Sequence, residues 1–178
     1  MPAERPASPQ GLPPFRTGLG YDVHRLAAGR PCILGGVRIP HHQGPEGHSD
    51  ADVLLHALCD ALLGAANLRD IGYHFPNTDP QWKGADSLKL LAASYELVQA
   101  AGWQLVNADC TLVAEAPKIN PHVPAMQQAI AGAMQVQEAQ VSIKATTNEK
   151  LGFLGREEGI SALASVLVYA PAPTSGSV

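Results

Sequence analysis

The chain has 178 residues, a formal net charge of −4 at pH 7, and is 46% hydrophobic and 16% charged. That is enough apolar material for one domain with a single core, and it excludes a mostly disordered chain. The mild acidity argues against a nucleic-acid or anionic-membrane binder, but leaves room for an anionic substrate held by a metal or by backbone amides.

Residues 1–15 carry five prolines and read as a disordered or extended leader. The folded domain is expected over 16–170, with a flexible tail at 171–178. Residues 17–26 read as a strand, and residues 31–39 as a hairpin turning at Gly35 and Gly36. A loop rich in His, Gly and Pro follows at 40–48. Residues 49–68 form the clearest helix, with Ser49 as its cap and Asp52 three residues on in a capping-box arrangement. Val53, Leu54, Ala57, Leu58, Ala61 and Leu62 recur at helical spacing and should face the core, while Asp52, His56 and Asp60 share one edge. A loop spans 69–85. A second helix opens at Asp86 or Ser87 and stops before Gly102. A strand spans 103–116, and Asn120 and Pro121 open a helix running to about Met134. Strands follow at 141–145 and Gly159–Tyr169. The fold class expected is α/β of the α+β type, a single domain with a mixed sheet and helices packed on one face.

The apolar segment at 160–170 is too short to span a bilayer, and the N-terminus lacks the basic-then-apolar pattern of a secretory signal. Cys32, Cys59 and Cys110 form no C-x-x-C pair, which indicates neither a disulfide framework nor a Cys-rich zinc site. A cytoplasmic location is expected.

Five of the seven histidines fall between residues 24 and 56. On a strand, Asp22 and His24 point to the same side, and Val23 is expected to point the other way, into the core. If the polar edge of the first helix faces that strand, His56 completes a set of two imidazoles and one carboxylate, which suits zinc with one coordination position open. The plain alternative for His56 is a hydrogen-bonded core histidine. Gly47, His48 and Ser49 end a loop at a helix start, where exposed amides favour an anion; the alternative is an ordinary cap. Residues 144–150 leave a strand with Thr146 and Thr147 as hydroxyl donors and Glu149 as a hard oxygen for Mg²⁺, or form only a polar turn.

In order along the chain, GYDVHRL, ILGGVRIP, GHSDADVLLHALCDALLGAA, DIG, FPNTDP, KGADS, APK and KATTNEKLGFLGREEGI closely resemble the 2-C-methyl-D-erythritol 2,4-cyclodiphosphate synthase family. The resemblance covers about residues 17–170. It implies a homotrimer around a threefold axis with active sites between subunits, and a lyase of non-mevalonate isoprene biosynthesis. The substrate implied is 4-diphosphocytidyl-2-C-methyl-D-erythritol 2-phosphate. Its 2-phosphate attacks the β-phosphorus, giving 2-C-methyl-D-erythritol 2,4-cyclodiphosphate and CMP.

The resemblance also implies roles for particular residues. Asp22, His24 and His56 match zinc ligands. Glu149 matches a ligand of a second divalent ion, Mg²⁺ or Mn²⁺. His48 and Thr147 match catalytic positions that stabilise the transition state. Val23, Ser49, Thr146 and Asn148 fall in substrate-binding segments. Asp70, Ile71 and Gly72 match the grip on the methylerythritol hydroxyls, with Phe75, Pro76, Asn77, Thr78 and Asp79 as a loop above it. Ala114, Glu115, Ala116, Pro117, Lys118, Ile119 and Asn120 match the cytidine pocket. Phe153 and Arg156 match residues lining a central cavity that holds an isoprenoid diphosphate in some members. Asn77 stands where many members carry Asp, and Glu157 adds a charge beside the cavity. Two other readings bear on the same residues: a zinc phosphohydrolase that releases CMP and a linear diphosphate, and a non-catalytic trimer that binds isoprenoid diphosphates.

Overall fold

The computed structural model describes residues 14–79, 82 and 84–171. In chain order its elements are β1 (Phe15–Ala28), β2 (Cys32–Leu34), β3 (Val37–Ile39), β4 (Gln43–Pro45), α1 (Val53–Ala65), α2 (Ile71–His74), α3 (Ser87–Ala100), β5 (Gln104–Val113), α4 (Val123–Met134), β6 (Val141–Thr146), α5 (Gly152–Gly155) and β7 (Gly159–Tyr169). Five strands form one mixed sheet in the order β4-β1-β7-β5-β6, and β2 and β3 form a separate hairpin. β7 pairs antiparallel with β1 from Phe15 opposite Tyr169 to Arg25 opposite Gly159, and antiparallel with β5 on its other edge. β5 and β6 run parallel, joined through α4.

α1 is the central helix, packed on β1 and β7 and against α3. All its residues except His56, Asp60 and Gly64 are buried. The fully enclosed leucines at 54, 55, 58, 62 and 63 each contribute on the order of 2 kcal/mol of apolar burial. Two glycines in β1 permit the close approach of α1. A Cβ at Gly18 would lie 1.9 Å from the Ala61 carbonyl oxygen, and one at Gly20 1.9 Å from that of Ala57.

The helix expected over 49–68 is shorter at both ends. Ala51 has φ 59°, which no helical residue adopts, so the helix starts after Asp52. Asp52, not Ser49, is the cap: its Oδ1 accepts from the amides of Leu54 and Leu55, 3.2 Å each. Its Oδ2 accepts from Gly36 N at 2.7 Å, tying the hairpin turn to the helix start. At the other end Asn67 turns left-handed (φ 60°), and Leu68 N–H closes on the Leu63 carbonyl. The loops expected at 40–48 and 69–85 contain β4 and α2, and the polar segment after β6 contains α5. These elements span only three or four residues, too few for periodicity to reveal. Of the expected leader and tail, residues 1–13 and 172–178 lie outside the described residues, and Phe15 already belongs to β1.

Val23 is a correction of sign. It does point away from Asp22 and His24, but toward the side of the sheet opposite α1, beside the short α5. Leu19 is 73% exposed, Tyr21 52% and Val23 41%, with Leu163 of β7 beside them. The strand therefore shows alternation with apolar residues on the open face, while the helix-facing side carries glycines and the polar Asp22 and His24.

Candidate metal centre and its cleft

Asp22 and His24 stand on the helix-facing side of β1, and His56 sits on the polar stripe of α1 directly across from them. Asp22 Oδ2 is 3.0 Å from both His24 Nε2 and His56 Nδ1, and the two nitrogens are 3.2 Å apart. The two rings meet edge-on, centroids 5.3 Å apart. Among the described residues no other group of three His, Cys, Asp or Glu is so placed.

The outward nitrogens are also held. His24 Nδ1 donates to the Glu46 carbonyl at 2.9 Å, which turns its Nε2 toward the triad. His56 Nε2 lies 3.1 Å from Ser87 Oγ and 3.2 Å from Ser49 Oγ. Burial opposes ionisation of Asp22, but hydrogen bonds and charge from His24 and His56 outweigh it and hold its carboxyl well below the usual range. Burial likewise works against protonated His24, yet Asp22 carries the net shift upward.

The donor set fits zinc. Donors about 2.0–2.1 Å from a tetrahedral ion sit roughly 3.3 Å apart, close to the observed triangle, and three protein ligands leave one position open. Cysteine ligation does not compete: burial pushes the Cys32 thiol up to about 11 and those of Cys59 and Cys110 up to about 12.

The triad opens onto a cleft of about 490 Å³ lined by His24, Gly47, His48, Ser49, His56, Ile71, Gly72, Phe75, Pro76, Asn77, Thr78, Trp82 and Leu90. Asp60 accepts from Ile71 N at 2.8 Å, and Asp70 caps α2 by accepting from Tyr73 N at 2.8 Å, which fixes the Asp70–Gly72 turn at the rim. Phe75 stacks edge-on against Trp82, centroids 5.1 Å apart, and forms the upper wall.

Ala114, Glu115, Pro117, Lys118, Ile119, Asn120, Thr146 and Thr147 line a different cavity of about 500 Å³ that shares no residue with the first. Glu115 stitches its two loops together: one carboxylate oxygen accepts from Asn148 N at 3.0 Å and Lys150 N at 3.1 Å, and the other pairs with Lys150 Nζ at 2.9 Å. Thr147 donates its hydroxyl to Glu149 at 2.9 Å. Phe153 and Arg156 line a third cavity with Val23, His24, Glu157 and Glu158. Within one chain, then, the triad and the 70–79 loop come together with His48 and Ser49, while residues 114–120 and 146–149 assemble elsewhere.

Sequence reasoning missed Glu46, Ser87 and Trp82 as parts of this site. Ser87 ends the conspicuous KGADS segment and Trp82 directly precedes it, but nothing local shows that α3 begins against His56. Glu46 acts through its backbone carbonyl, which no residue type betrays.

An α/β domain with a two-histidine, one-carboxylate triad at the floor of a cleft is the architecture of a metal-dependent enzyme. The sequence profile of the YgbB family matches residues 15–169, and the chain belongs to that family. It is 62% identical over 157 residues to a 2-C-methyl-D-erythritol 2,4-cyclodiphosphate synthase of Porphyromonas gingivalis, covering 88% of this chain and 97% of that one. A synthase of the same name from Synechococcus elongatus is 58% identical over 154 residues, 86% of this chain and 96% of its own. Among solved structures, the bifunctional IspDF of Campylobacter jejuni superposes with a TM-score of 0.85 at 44% identity, over 88% of this chain and 42% of that longer one. The CDP-bound form of a 2C-methyl-D-erythritol-2,4-cyclodiphosphate synthase gives 0.79 at 39% identity, over 86% of this chain and 99% of its own.

Proposed function

We propose that the chain converts 4-diphosphocytidyl-2-C-methyl-D-erythritol 2-phosphate to 2-C-methyl-D-erythritol 2,4-cyclodiphosphate and CMP. The observation that carries this reading is the convergence of Asp22, His24 and His56 on one point in a chain 62% identical to a synthase of that name. In the reaction an oxygen of the 2-phosphate bonds to the β-phosphorus, the bond from that phosphorus to the bridging oxygen breaks, and CMP leaves with the bridging oxygen. The nucleophile is already anionic near neutral pH, so the protein's work is positioning and charge neutralisation rather than base catalysis.

Asp22, His24 and His56 would hold zinc. Glu149, a single hard carboxylate, fits an ion that takes most of its ligands from substrate phosphates and water, as Mg²⁺ or Mn²⁺ does. Bound there, the two cations supply Lewis-acid polarisation of phosphoryl oxygens. His48 and Ser49 stand at the cleft mouth to donate hydrogen bonds to phosphate. Ser49 Oγ accepts from Ala51 N at 3.0 Å and faces His56 Nε2, which leaves its own proton for an anionic oxygen. Asp70, Ile71 and Gly72 receive the polyol hydroxyls, and Phe75, Pro76, Asn77, Thr78 and Asp79 close over them, folding the chain toward a ring and excluding water. Lys118 and the 114–120 loop receive the cytidine arm, while Thr146 and Thr147 contact its phosphates and Thr147 steadies the transition state.

Because the two half-sites do not meet within one chain, we infer that they meet between chains, in a homotrimer around a threefold axis in the cytoplasm. The open apolar face of β1 and β7 supports this, since a monomer rarely leaves such a patch bare. The cavity at Phe153 and Arg156 would then lie toward the axis and receive an isoprenoid diphosphate.

The test is product analysis by phosphorus NMR with zinc and Mg²⁺ present. CMP together with a cyclic diphosphate is expected. CMP with a linear diphosphate would instead establish a zinc phosphohydrolase, and no turnover with retained isoprenoid binding a non-catalytic module.

A further inference from the structure

The described residues offer several features outside the ligands and cleft already assigned: the Glu115 clasp, the buried Asp52 carboxylate, the groove between α2 and α3, and the polar chain behind His56. The last is the most fully determined. Ser87, the first residue of α3, is entirely buried. Its Oγ is 2.5 Å from Asp50 Oδ1 and 3.1 Å from His56 Nε2, and its amide donates to Asp50 Oδ2 at 3.0 Å.

Chemistry orders the protons along this chain. A carboxylate only accepts, so the Ser87 hydroxyl proton lies on the bond to Asp50. Ser87 Oγ then has only lone pairs to offer His56, and Nε2 must be the protonated ring nitrogen. Ser49 Oγ, 3.2 Å from the same Nε2, can accept from it as well. With Nε2 committed to that donation, Nδ1, which faces Asp22 and His24, is the ring nitrogen available to a cation.

We propose that Ser87 and Asp50 are positioning residues for the metal centre: they hold a proton on His56 Nε2 and fix the orientation of the ring, so that Nδ1 is the nitrogen left to bind zinc. The proposal rests on the reading of the triad as a zinc site. It adds that the start of α3 is built into that site, so the segment leading from the cleft-closing loop into α3 and the metal share one hydrogen-bonded support.

The test is zinc affinity of the full chain, measured by competition with a chromophoric chelator, alongside the thermal unfolding of the zinc-free protein. Ser87→Ala is expected to weaken zinc binding about 10–100-fold with little change in unfolding, as loss of a partner behind a ligating histidine generally does. Ser87→Thr keeps the hydroxyl and is expected to stay close to the unsubstituted chain. Unchanged affinity in Ser87→Ala overturns the proposal, and so does a Ser87→Thr protein as weak as Ser87→Ala. The underlying reading is separated by His56→Ala: undiminished zinc binding there removes His56 from the ligand set. Zinc lost in His56→Ala but kept in Ser87→Ala leaves the metal centre standing and sinks only the positioning role. Should Ser87→Ala fail to fold, NMR of the zinc-loaded unsubstituted chain reads the same bond. A ring proton on His56 Nε2 protected from solvent exchange supports the chain, and one exchanging as fast as in a free imidazole refutes it.

Discussion

Asp22 shows how a single carboxylate organises the site. It is too enclosed to ionise cheaply alone, and the two imidazoles 3.0 Å away make the ion favourable. A cation substitutes for their protons, so removing one donor should cost both the ion and the reaction. His56→Ala is expected to reduce zinc affinity and CMP release by at least about 100-fold, checked by chelator competition and by chromatography of CMP. Asp52, four residues earlier, behaves differently. It caps α1 from complete burial, and that burial raises its carboxyl to about 6, with three backbone amides only partly offsetting it. An acid whose pKa is higher in the folded state stabilises most while protonated. The contribution is therefore present below the ordinary value of 3.8 and lost as pH rises through about 6. Comparing urea unfolding of the chain and Asp52→Asn across that window should show the variant gaining relative stability by up to about 3 kcal/mol. A flat difference would mean Asp52 is ionised throughout.

At the scale of elements, the site depends on how closely α1 lies on β1. Gly18 and Gly20 set that distance, since any Cβ there strikes a helix carbonyl. Gly20→Ala is expected to push the helix outward, cost about 3 kcal/mol in unfolding free energy, and weaken zinc binding even though no ligand is changed. Equal zinc affinity in a destabilised Gly20→Ala protein would show that the triad tolerates the shift. The short elements matter for placement rather than stability. β4 carries the chain into Glu46, whose carbonyl orients His24, and α2 is pinned by Asp60 and Asp70 at the cleft rim. α5 carries Phe153 into a cavity beside Val23.

For the whole molecule the decisive feature is the division of residues 20–90 from residues 114–149 into separate cavities. Leu19, Tyr21 and Leu163 form an apolar face of the kind that self-association covers. If the proposed trimer forms through this face, the unsubstituted chain sediments at three times 18.7 kDa, and Leu19→Lys with Leu163→Lys is expected to sediment as a single chain with activity lost in parallel. Complementation gives a sharper test. Mixing inactive His56→Ala with inactive Thr147→Ala chains should restore a fraction of turnover, because some interfaces then pair an intact triad with an intact threonine loop. No recovery on mixing would place both halves in one chain. No helix among the described residues is long and apolar enough to cross a membrane.

Much of this was written locally. The spacing of Asp22 and His24 on a strand, the helical period that leaves His56 and Asp60 on one edge, and the β7 boundaries all follow from residue type and period, because strands and helices repeat every 2 and 3.6 residues whatever surrounds them. The ordered blocks carried the family. Tertiary structure alone decided the rest. It turned Val23 outward, because α1 covers only the other face of β1. It moved the helix start past Asp52, because Ala51 turns left-handed and the Asp52 carboxylate caps the helix while also accepting from the hairpin amide of Gly36. It brought Ser87 and Asp50 behind His56, a contact across 31 residues of chain in the case of Ser87, since hydrogen-bond partners so distant in sequence meet only when packing puts α3 against α1.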